Sequence, residues 1–313
     1  MSRTLITGGA GFVGSNLARF IEPSVLLDWR KPGYLFEDGE LIFDDAEFVK
    51  GDIRNGDDLE KCLEVGDVDS IVHLAAIPGV RKCEEEPELA RSVNVGGTES
   101  VLEFARRNDV SKVVPASSAG VYGEIREQPI TEEHPKDPLN LYSENKRKGE
   151  KLCREYSGSY GLDTTVLRMS NLYGPGFQVK PNLTVIPLFL LRALLNKPLT
   201  VYGDGEQTRD FVHVEDVAQG FQKVLESSDG SYRAFNLGSG ETSSINELAE
   251  TINELVDRLY DRNVDVEHVE MPEWRDEAKE EFDYSIDKIK REVGYEPVYS
   301  LKEGIREMIA GLF

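Results

Sequence analysis

A tyrosine and a lysine that could handle a proton together stand four residues apart, at Tyr142 and Lys146. On a helix this spacing places both side chains on one face. A free phenol, with a pKa of ~10, is a poor base at neutral pH, but a neighbouring ammonium stabilises the phenolate and lowers that pKa. The pair therefore predicts a general acid/base suited to alcohol–ketone chemistry.

The spacing alone is a weak signal, because a second pair, Tyr284 and Lys288, has it too. We interpret that second pair as accidental, since it lies outside the strand–helix alternation described below. The first pair follows a predicted strand that ends in Ser117 and Ser118. A serine hydroxyl at that point could hydrogen-bond the same reacting oxygen.

A glycine-rich turn near the start of the chain predicts a dinucleotide site. Gly8, Gly11 and Gly14 follow a short apolar run and open the helix-like stretch 12–21, which begins with Phe12 and Val13. Such glycines permit a tight turn, close approach of a pyrophosphate and close helix–strand packing, while the helix N-terminus offers N–H groups to the phosphates. The plainer alternative is a strand–helix turn without a ligand.

An acidic residue stands where such a site needs one. Asp28 ends a second apolar run, twenty residues after Gly8, and can hydrogen-bond the adenosine ribose hydroxyls. Asp28 would also repel a 2′-phosphate, and no arginine directly follows it, which favours NAD over NADP. Arg30, two residues further on, is the reason to leave NADP as an alternative.

Strand-like and helix-like runs alternate through the first half of the chain, which predicts an α/β fold with a doubly wound, parallel Rossmann sheet. Ligands bind beyond the carboxyl ends of the strands in such sheets. We assign residues 1–170 to this cofactor-binding domain. Residues 171–313 are predicted to form a smaller mixed α/β part that binds substrate, with some segments returning to the sheet. Residues 29–46 show no pattern and are interpreted as a loop.

Composition excludes several classes of protein. The net charge is −22, from 58 acidic against 36 basic residues, so nucleic acid is not an expected partner. No apolar run approaches the ~20 residues of a membrane helix, and a signal peptide is not expected. The three cysteines, Cys62, Cys83 and Cys153, are interpreted as free thiols in a cytoplasmic protein. The four histidines have no metal-ligand spacing, so no metal site is predicted.

Segments along almost the whole chain resemble the extended short-chain dehydrogenase/reductase family. The closer resemblance is to nucleotide-sugar epimerases of the UDP-galactose (UDP-glucose) 4-epimerase type. The segments that carry it are TGGAGFVG from Thr7, GDI from Gly51, HLAA from His73, NVGGT from Asn94, SSAGVYG from Ser117, YSENK from Tyr142, LRMSNLYGPG from Leu167, VYGDGEQTRDFVHVEDVA from Val201, FNLGSG from Phe235 and LKEGIREMI from Leu301.

The resemblance implies a role for each matching residue. NAD would be bound by Gly8, Gly11, Phe12, Val13, Gly14, Asp28, Asp52, Ile53, Ala75, Ala76, Tyr142 and Lys146, with the adenine held by Asp52 and Ile53. Ser118, Tyr142 and Lys146 would be catalytic. The UDP-sugar would contact Ser118, Tyr142 and Asn171, and its phosphates would be clamped by Arg209 and Arg275. A homodimer through helices 87–107 and 142–161 is also implied.

Two departures from the family pattern bear on function. Dehydratases carry an Asp-Glu pair, and decarboxylases a Glu, where this chain has Ala119-Gly120, so both activities rank below epimerisation. Arg275 lies in Trp274-Arg275-Asp276 rather than the usual Arg-x-Gly-Asp surroundings. The leading hypothesis is NAD-dependent 4-epimerisation of UDP-glucose and UDP-galactose through a 4-keto intermediate. The alternatives are another UDP-, dTDP- or GDP-sugar, a nucleotide-sugar reductase or dehydrogenase, and a cofactor-binding scaffold without catalysis.

The net charge of −22 predicts a dependence of stability on salt. Added salt screens repulsion among surface carboxylates and should stabilise the compact state. We expect the Tm, followed by circular dichroism, to rise clearly from low to molar KCl. A flat or falling curve would identify an ordinary acidic protein instead.

Overall fold

The computed structural model describes residues 3–37, 40–176, 184–227, 230–270 and 281–311. In chain order the elements are β1 (Arg3–Thr7), α1 (Phe12–Leu17), β2 (Ser24–Asp28), β3 (Phe36–Glu37), β4 (Glu40–Leu41), β5 (Ala46–Lys50), α2 (Gly56–Glu64), β6 (Val68–His73), α3 (Val80–Glu85), α4 (Pro87–Arg91), α5 (Thr98–Arg107), β7 (Lys112–Ser118), α6 (Leu141–Tyr160), β8 (Asp163–Met169), β9 (Asn171–Tyr173), α7 (Val185–Leu194), β10 (Leu199–Tyr202), β11 (Thr208–His213), α8 (Val214–Glu226), β12 (Arg233–Leu237), β13 (Thr242–Ser244), α9 (Ile245–Tyr260), β14 (Val266–Val269), α10 (Asp287–Val293) and α11 (Leu301–Ala310).

Seven of these strands form one sheet in the order β12-β8-β7-β6-β1-β2-β5. Every neighbouring pair in it is parallel. The chain winds outward from β1 to β2 and β5, then crosses back to β6 and continues in the other direction. The order therefore reverses between β1 and β6, and a crevice opens there at the carboxyl edge of the sheet. This confirms the predicted doubly wound Rossmann fold.

Apolar residues on both faces hold the sheet between two layers of helices. Side chains alternate between the faces of a strand, and in β2 Leu26 joins one buried cluster while Val25 and Leu27 join the other. All three are fully buried. A strand covered on both sides needs such a continuous apolar run, which is why β2 is recognisable from sequence.

Two segments differ from the sequence-based expectations. The stretch 29–46, interpreted as a loop, contains a 3-10 turn at Gly33–Leu35 and the short antiparallel hairpin β3–β4. The predicted helix 87–107 is continuous, but its middle, Ser92–Gly97, is π-helical. Within it the Asn94 carboxamide accepts from the Ile77 N–H (2.7 Å) and donates to the Ile77 carbonyl (3.1 Å), which fixes the loop after β6.

The second half of the chain builds smaller units beside the sheet. Strands β13, β11 and β9 form one, β10 and β14 another, and helices α7, α9 and α11 pack on a third apolar cluster. Another strand of the second half, β12, joins the large sheet beside β8. The boundary at residue 170 stays a prediction.

The outward faces of α5 and α6 are charged, with ion pairs such as Arg106–Glu103 and Lys148–Glu144 within each helix. The homodimer predicted through helices 87–107 and 142–161 stays a prediction. Within the ranges that the structure describes, no helix combines the length and apolar character needed to cross a bilayer.

A buried polar network joins the centre of α6 to strands β7, β8 and β12. The Arg168 guanidinium donates to both carboxylate oxygens of Glu150 (3.0 and 2.8 Å) and to the Tyr122 hydroxyl (2.9 Å). Ser117 also donates to Glu150 (2.6 Å), and Tyr122 donates to Asn236 (2.5 Å). Every one of these residues is buried, so each charge depends on its partners here.

Replacing Arg168 by methionine should strongly destabilise the protein. The change leaves the Glu150 carboxylate buried without its cation, which costs about 3–5 kcal/mol in comparable pairs. Urea unfolding followed by circular dichroism should show this loss in the free energy of unfolding.

The matched control is Arg126→Met, which breaks an exposed ion pair with Asp137 (3.1 Å). Exposed pairs contribute little, so its urea midpoint should stay close to that of the unchanged protein. Equal losses in the two variants would contradict a special role for the buried pair.

Candidate active site

One large cavity, about 1480 Å³ in volume, lies at the carboxyl edge of the sheet and extends into the second half of the chain. It brings together most of the residues that the sequence singled out. Those that line it are Gly8, Gly11, Phe12, Val13, Gly14, Asp28, Asp52, Ile53, Ala75, Ala76, Tyr142, Lys146, Asn171 and Arg209. Ser118 is not among the lining residues, and Arg275 lies outside the described residues.

The turn after β1 has no room for side chains. Gly8 has φ +71°, and a Cβ there would lie 2.8 Å from the Ala75 nitrogen. A Cβ at Gly14 would lie 2.4 Å from the Gly8 carbonyl oxygen, so the first turn of α1 packs directly on the loop. Gly11 precedes α1 without a capping side chain. The N–H groups of the first helical turn are therefore not taken up by a side-chain cap, an arrangement that suits a phosphate ligand.

Asp28 stands at the end of β2 and is shaped by the same turn. Its carboxylate accepts from the Ala10 N–H (3.2 Å) and from the Arg30 N–H (3.1 Å). Burial raises the pKa of this carboxyl above its usual range, and the two backbone donors oppose that rise. The carboxylate keeps acceptor capacity for the hydroxyls of a ribose.

Asp52 and Ile53 follow β5 on the same side of the cavity. Asp52 forms a close ion pair with Arg54, whose Nε lies 3.0 Å from each carboxylate oxygen, and this hydrogen bonding holds the pKa of Asp52 below its usual range. Ile53 is buried against Gly97, where a Cβ would lie 2.3 Å from the Ile53 side chain. The π-helical segment thus sets the position of an apolar wall of the cavity.

Tyr142 and Lys146 lie on the first turns of α6, whose N-terminus is capped by Asn140 accepting from the Ser143 N–H (3.0 Å). The Lys146 ammonium lies 5.8 Å from the centre of the Tyr142 ring and donates to the Ala116 carbonyl at 2.8 Å. The expected lowering of the Tyr142 pKa is not seen here. Burial disfavours both charged forms, so it raises the pKa of Tyr142 to about 12 and lowers that of Lys146 to about 8.

Ser118 ends β7 and caps the 3-10 turn Ala119–Tyr122, its hydroxyl oxygen accepting from the Gly120 N–H (3.2 Å). The hydroxyl proton is not used in that bond. A Cβ at Gly120 would lie 2.5 Å from the Ser143 hydroxyl. The glycine therefore accommodates Ser143 on α6, and Gly120 itself does not line the cavity.

The far end of the cavity is organised by a buried carboxylate that the sequence reasoning missed. Asp210 accepts from Ser170 (2.6 Å) and from the N–H groups of Ser239 (2.9 Å) and Gly240 (2.8 Å). Its carbonyl accepts from the Asn171 side chain (3.1 Å). The neighbouring Arg209 guanidinium donates to the Thr208 carbonyl (2.6 Å) and lines the cavity. Asp210 thus ties the Asn171 and Arg209 strands together.

Several further lining residues were also missed. They fall into three groups: those beside Asp28 and Asp52, those in the loop after β6, and the apolar face of α7 with its neighbours. Examples are Trp29, Arg54, Ile77, Val80, Val185, Leu188, Phe189, Tyr202 and Phe211. Adjacency to Asp28 and Asp52 could have identified the first group, and the apolar run 185–195 the third. Among the described residues no cluster of His, Cys, Asp and Glu is arranged to hold a metal ion.

The chain is similar to known proteins over most of its length. The NAD dependent epimerase/dehydratase family matches residues 4–238. A putative UDP-glucose 4-epimerase of Methanocaldococcus jannaschii is 35% identical over 97% of this chain and 96% of its own. A low-salt glycan biosynthesis protein of Haloferax volcanii is 34% identical over the same shares. A dTDP-glucose 4,6-dehydratase of Xanthomonas campestris is 32% identical over 97% of this chain and 91% of its own.

Solved structures of similar proteins share this fold over nearly the whole chain. An epimerase of Methanothermobacter thermautotrophicus has a TM-score of 0.88 and 32% identity, covering 99% of this chain and 92% of its own. UDP-glucose 4-epimerase of Thermotoga maritima with UDP-glucose has a TM-score of 0.86 and 26% identity, covering 99% and 98%. The Thermus thermophilus UDP-glucose 4-epimerase complex with NAD has a TM-score of 0.80 and 29% identity, covering the same shares.

The glycine turn at Gly8 and Gly14, in which a Cβ has no room, fits the diphosphate of the dinucleotide that these relatives use. Asp28 at the end of β2 fits its adenosine ribose. The family match and the shape of the cavity indicate the same cofactor, which is NAD. The chain belongs to the NAD dependent epimerase/dehydratase family of nucleotide-sugar enzymes.

Proposed function

We propose that this protein is a nucleotide-sugar 4-epimerase that interconverts UDP-glucose and UDP-galactose. The observation that carries the proposal is the position of Tyr142 and Lys146. They stand in one cavity between the glycine turn at one end and Asn171 with Arg209 at the other. A volume of about 1480 Å³ suits a dinucleotide and a sugar nucleotide together.

NAD, when bound, supplies a reversible hydride acceptor. The protein's own part begins with Tyr142, which takes the proton of the sugar 4-hydroxyl and later returns it. Lys146 stabilises the phenolate by its charge, because a nearby ammonium lowers the free energy of the anionic form. Its hydrogen bond to the Ala116 carbonyl (2.8 Å) fixes the ammonium on this side of α6.

Ser118 would give the reacting oxygen a hydrogen bond, using the proton that its contact with Gly120 leaves available. At the far end, Arg209 would bind the diphosphate, since a guanidinium presents paired donors to phosphate oxygens. Asn171 would add an amide contact, and Arg275 a second guanidinium.

The absence of an acid at Ala119 and Gly120 supports epimerisation over dehydration, because no carboxylic acid there can protonate a leaving hydroxyl. The carboxylates that do line the cavity among the described residues are Asp28, Asp52 and Glu86, which belong to other loops. The alternatives remain another UDP-, dTDP- or GDP-sugar, net oxidation or reduction with exchangeable cofactor, and a scaffold. The homodimer and the cytoplasmic location stay predictions.

Incubation with UDP-, dTDP-, GDP- and CDP-sugars, without added cofactor, should give epimerised product from UDP-glucose and UDP-galactose. An epimerase returns the hydride to the sugar that lost it, so a C4-deuterated substrate should keep its label in the product. Mass spectrometry and NMR measure both results. Label lost to solvent would exclude hydride transfer to and from the cofactor, and label found on released cofactor, or turnover only with added cofactor, would favour the reductase alternative.

Tyr142→Phe should reduce turnover by ~10²–10⁴-fold, the usual contribution of general acid/base catalysis. The ring is kept, so the UDP-sugar should bind with nearly unchanged affinity in calorimetry. Ser118→Ala should cost less, because it removes one hydrogen bond and not the proton carrier.

Tyr160→Phe is the matched control, since Tyr160 lies on the same helix and is exposed. Its turnover should equal that of the unchanged protein. The other tyrosine–lysine pair is structural: Tyr284 is buried and donates to the Arg168 carbonyl (2.8 Å). Turnover that survives in Tyr142→Phe would exclude this mechanism.

A further inference from the structure

A second, much smaller cavity of about 20 Å³ lies beside Lys146. It is bounded by Asn145 and Glu150 from α6, by Ser117 from β7 and by Lys146 itself. A space of this size holds one water molecule. Lys146 also lines the large cavity, as do Ala75, Ala76 and Ala116, so the two spaces share one wall.

The Asn145 carboxamide lines this small cavity and needs a partner there. The residue is fully buried, and neither its oxygen nor its nitrogen has a hydrogen-bond partner among the described residues. Buried amides are almost always hydrogen-bonded, to protein or to an internal water. A water in the cavity could accept from the amide nitrogen or donate to the amide oxygen.

The charged neighbours of the cavity also favour a water. An ammonium has three N–H donors, and the Ala116 carbonyl accounts for one of those of Lys146. Glu150 accepts from Arg168 and Ser117 and still has acceptor capacity. A water between Lys146 and Glu150 would join a cation to an anion across the cavity.

The other groups around Lys146 do not take this role. His73 lines the cavity from β6, but its two nitrogens contact the hydroxyls of Thr7 (2.7 Å) and Thr98 (3.0 Å). Burial lowers the pKa of His73 to about 3, which keeps it neutral. Cys83 on α3 is a buried thiol whose pKa is raised by burial, so it is also neutral. Tyr142 faces the large cavity.

We propose that this cavity holds one internal water that hydrogen-bonds the Lys146 ammonium, the Asn145 carboxamide and the Glu150 carboxylate. Asn145 is thereby a positioning residue, which acts on the reaction through Lys146. The water itself stands independently of the proposed function, whereas its effect on turnover rests on the roles proposed for Tyr142 and Lys146.

A crystal structure of the NAD-bound protein, at a resolution that shows ordered waters, tests the site directly. The expected result is a water within about 3.2 Å of the Lys146 nitrogen and of an Asn145 side-chain atom. An empty cavity, or an Asn145 carboxamide bonded only to protein, would overturn the proposal.

Asn145→Leu, similar in size but apolar, tests the effect on the reaction. Without the water the ammonium loses solvation, so the pKa of Lys146 falls and that of Tyr142 rises. The basic limb of the kcat/KM profile should move to lower pH by about one unit, as expected for one lost charge-assisted hydrogen bond. Asn145→Ser, which leaves room for the water and offers a hydroxyl, should restore the limb. A lower plateau with unmoved limbs would reduce Asn145 to a structural residue.

Asn253→Leu on α9 is the matched control. Asn253 exchanges hydrogen bonds with the Val264 backbone (2.8 and 2.9 Å), away from both cavities. It should lower the Tm without moving the pH profile. If Tyr142→Phe is inactive while the water is absent, only this inference fails. If the water is present while Tyr142→Phe keeps its activity, the proposed function fails and the site stands.

Discussion

Two stretches of backbone meet at Gly8 and Ala75 with no room for a side chain between them. This close approach is possible because β1 and β6 are parallel neighbours at the point where the strand order reverses. Both strands end there, so the turn after β1 and the loop after β6 form the floor of one cavity. The neighbouring strands β2 and β7 bring Asp28 and Ala116 to this edge, and α6 brings Tyr142 and Lys146 above it. The chemistry is therefore located by the topology of the sheet before any reactive side chain is considered.

Electrostatics then limit what the site can do. Tyr142 and Lys146 are partly buried, and burial makes the charged form of each less favourable than it is in water. Two groups stabilise the charged form of Lys146. The Ala116 carbonyl accepts from its ammonium, and the Glu150 carboxylate lies one turn further along α6. Glu150 in turn is held by Arg168. The reactive end of α6 is thus connected to the deepest part of the core.

Features set by local sequence could be predicted, and features set by long-range contact could not. The Gly8–Gly14 turn, the buried run of β2 and the amphipathic α6 each follow from residues close together in the chain. The hairpin β3–β4 has strands too short to show a period, and the π-helical Ser92–Gly97 consists of residues that also suit an α-helix. The ordinary pKa rule for a lysine beside Tyr142 failed because burial depends on the whole fold.

The network around Arg168 restricts how this sequence can change over time. Tyr122 and Asn236, 114 positions apart, are joined through one hydroxyl, and Arg168 shares that hydroxyl with them. A single substitution of Arg168 or Glu150 passes through an intermediate with an unmatched buried charge, whereas a joint replacement by apolar residues is often tolerated. Such positions are expected to vary together or not at all when related chains are aligned. They would then form a covarying group that marks the interior behind the site, distinct from the residues that distinguish one substrate from another.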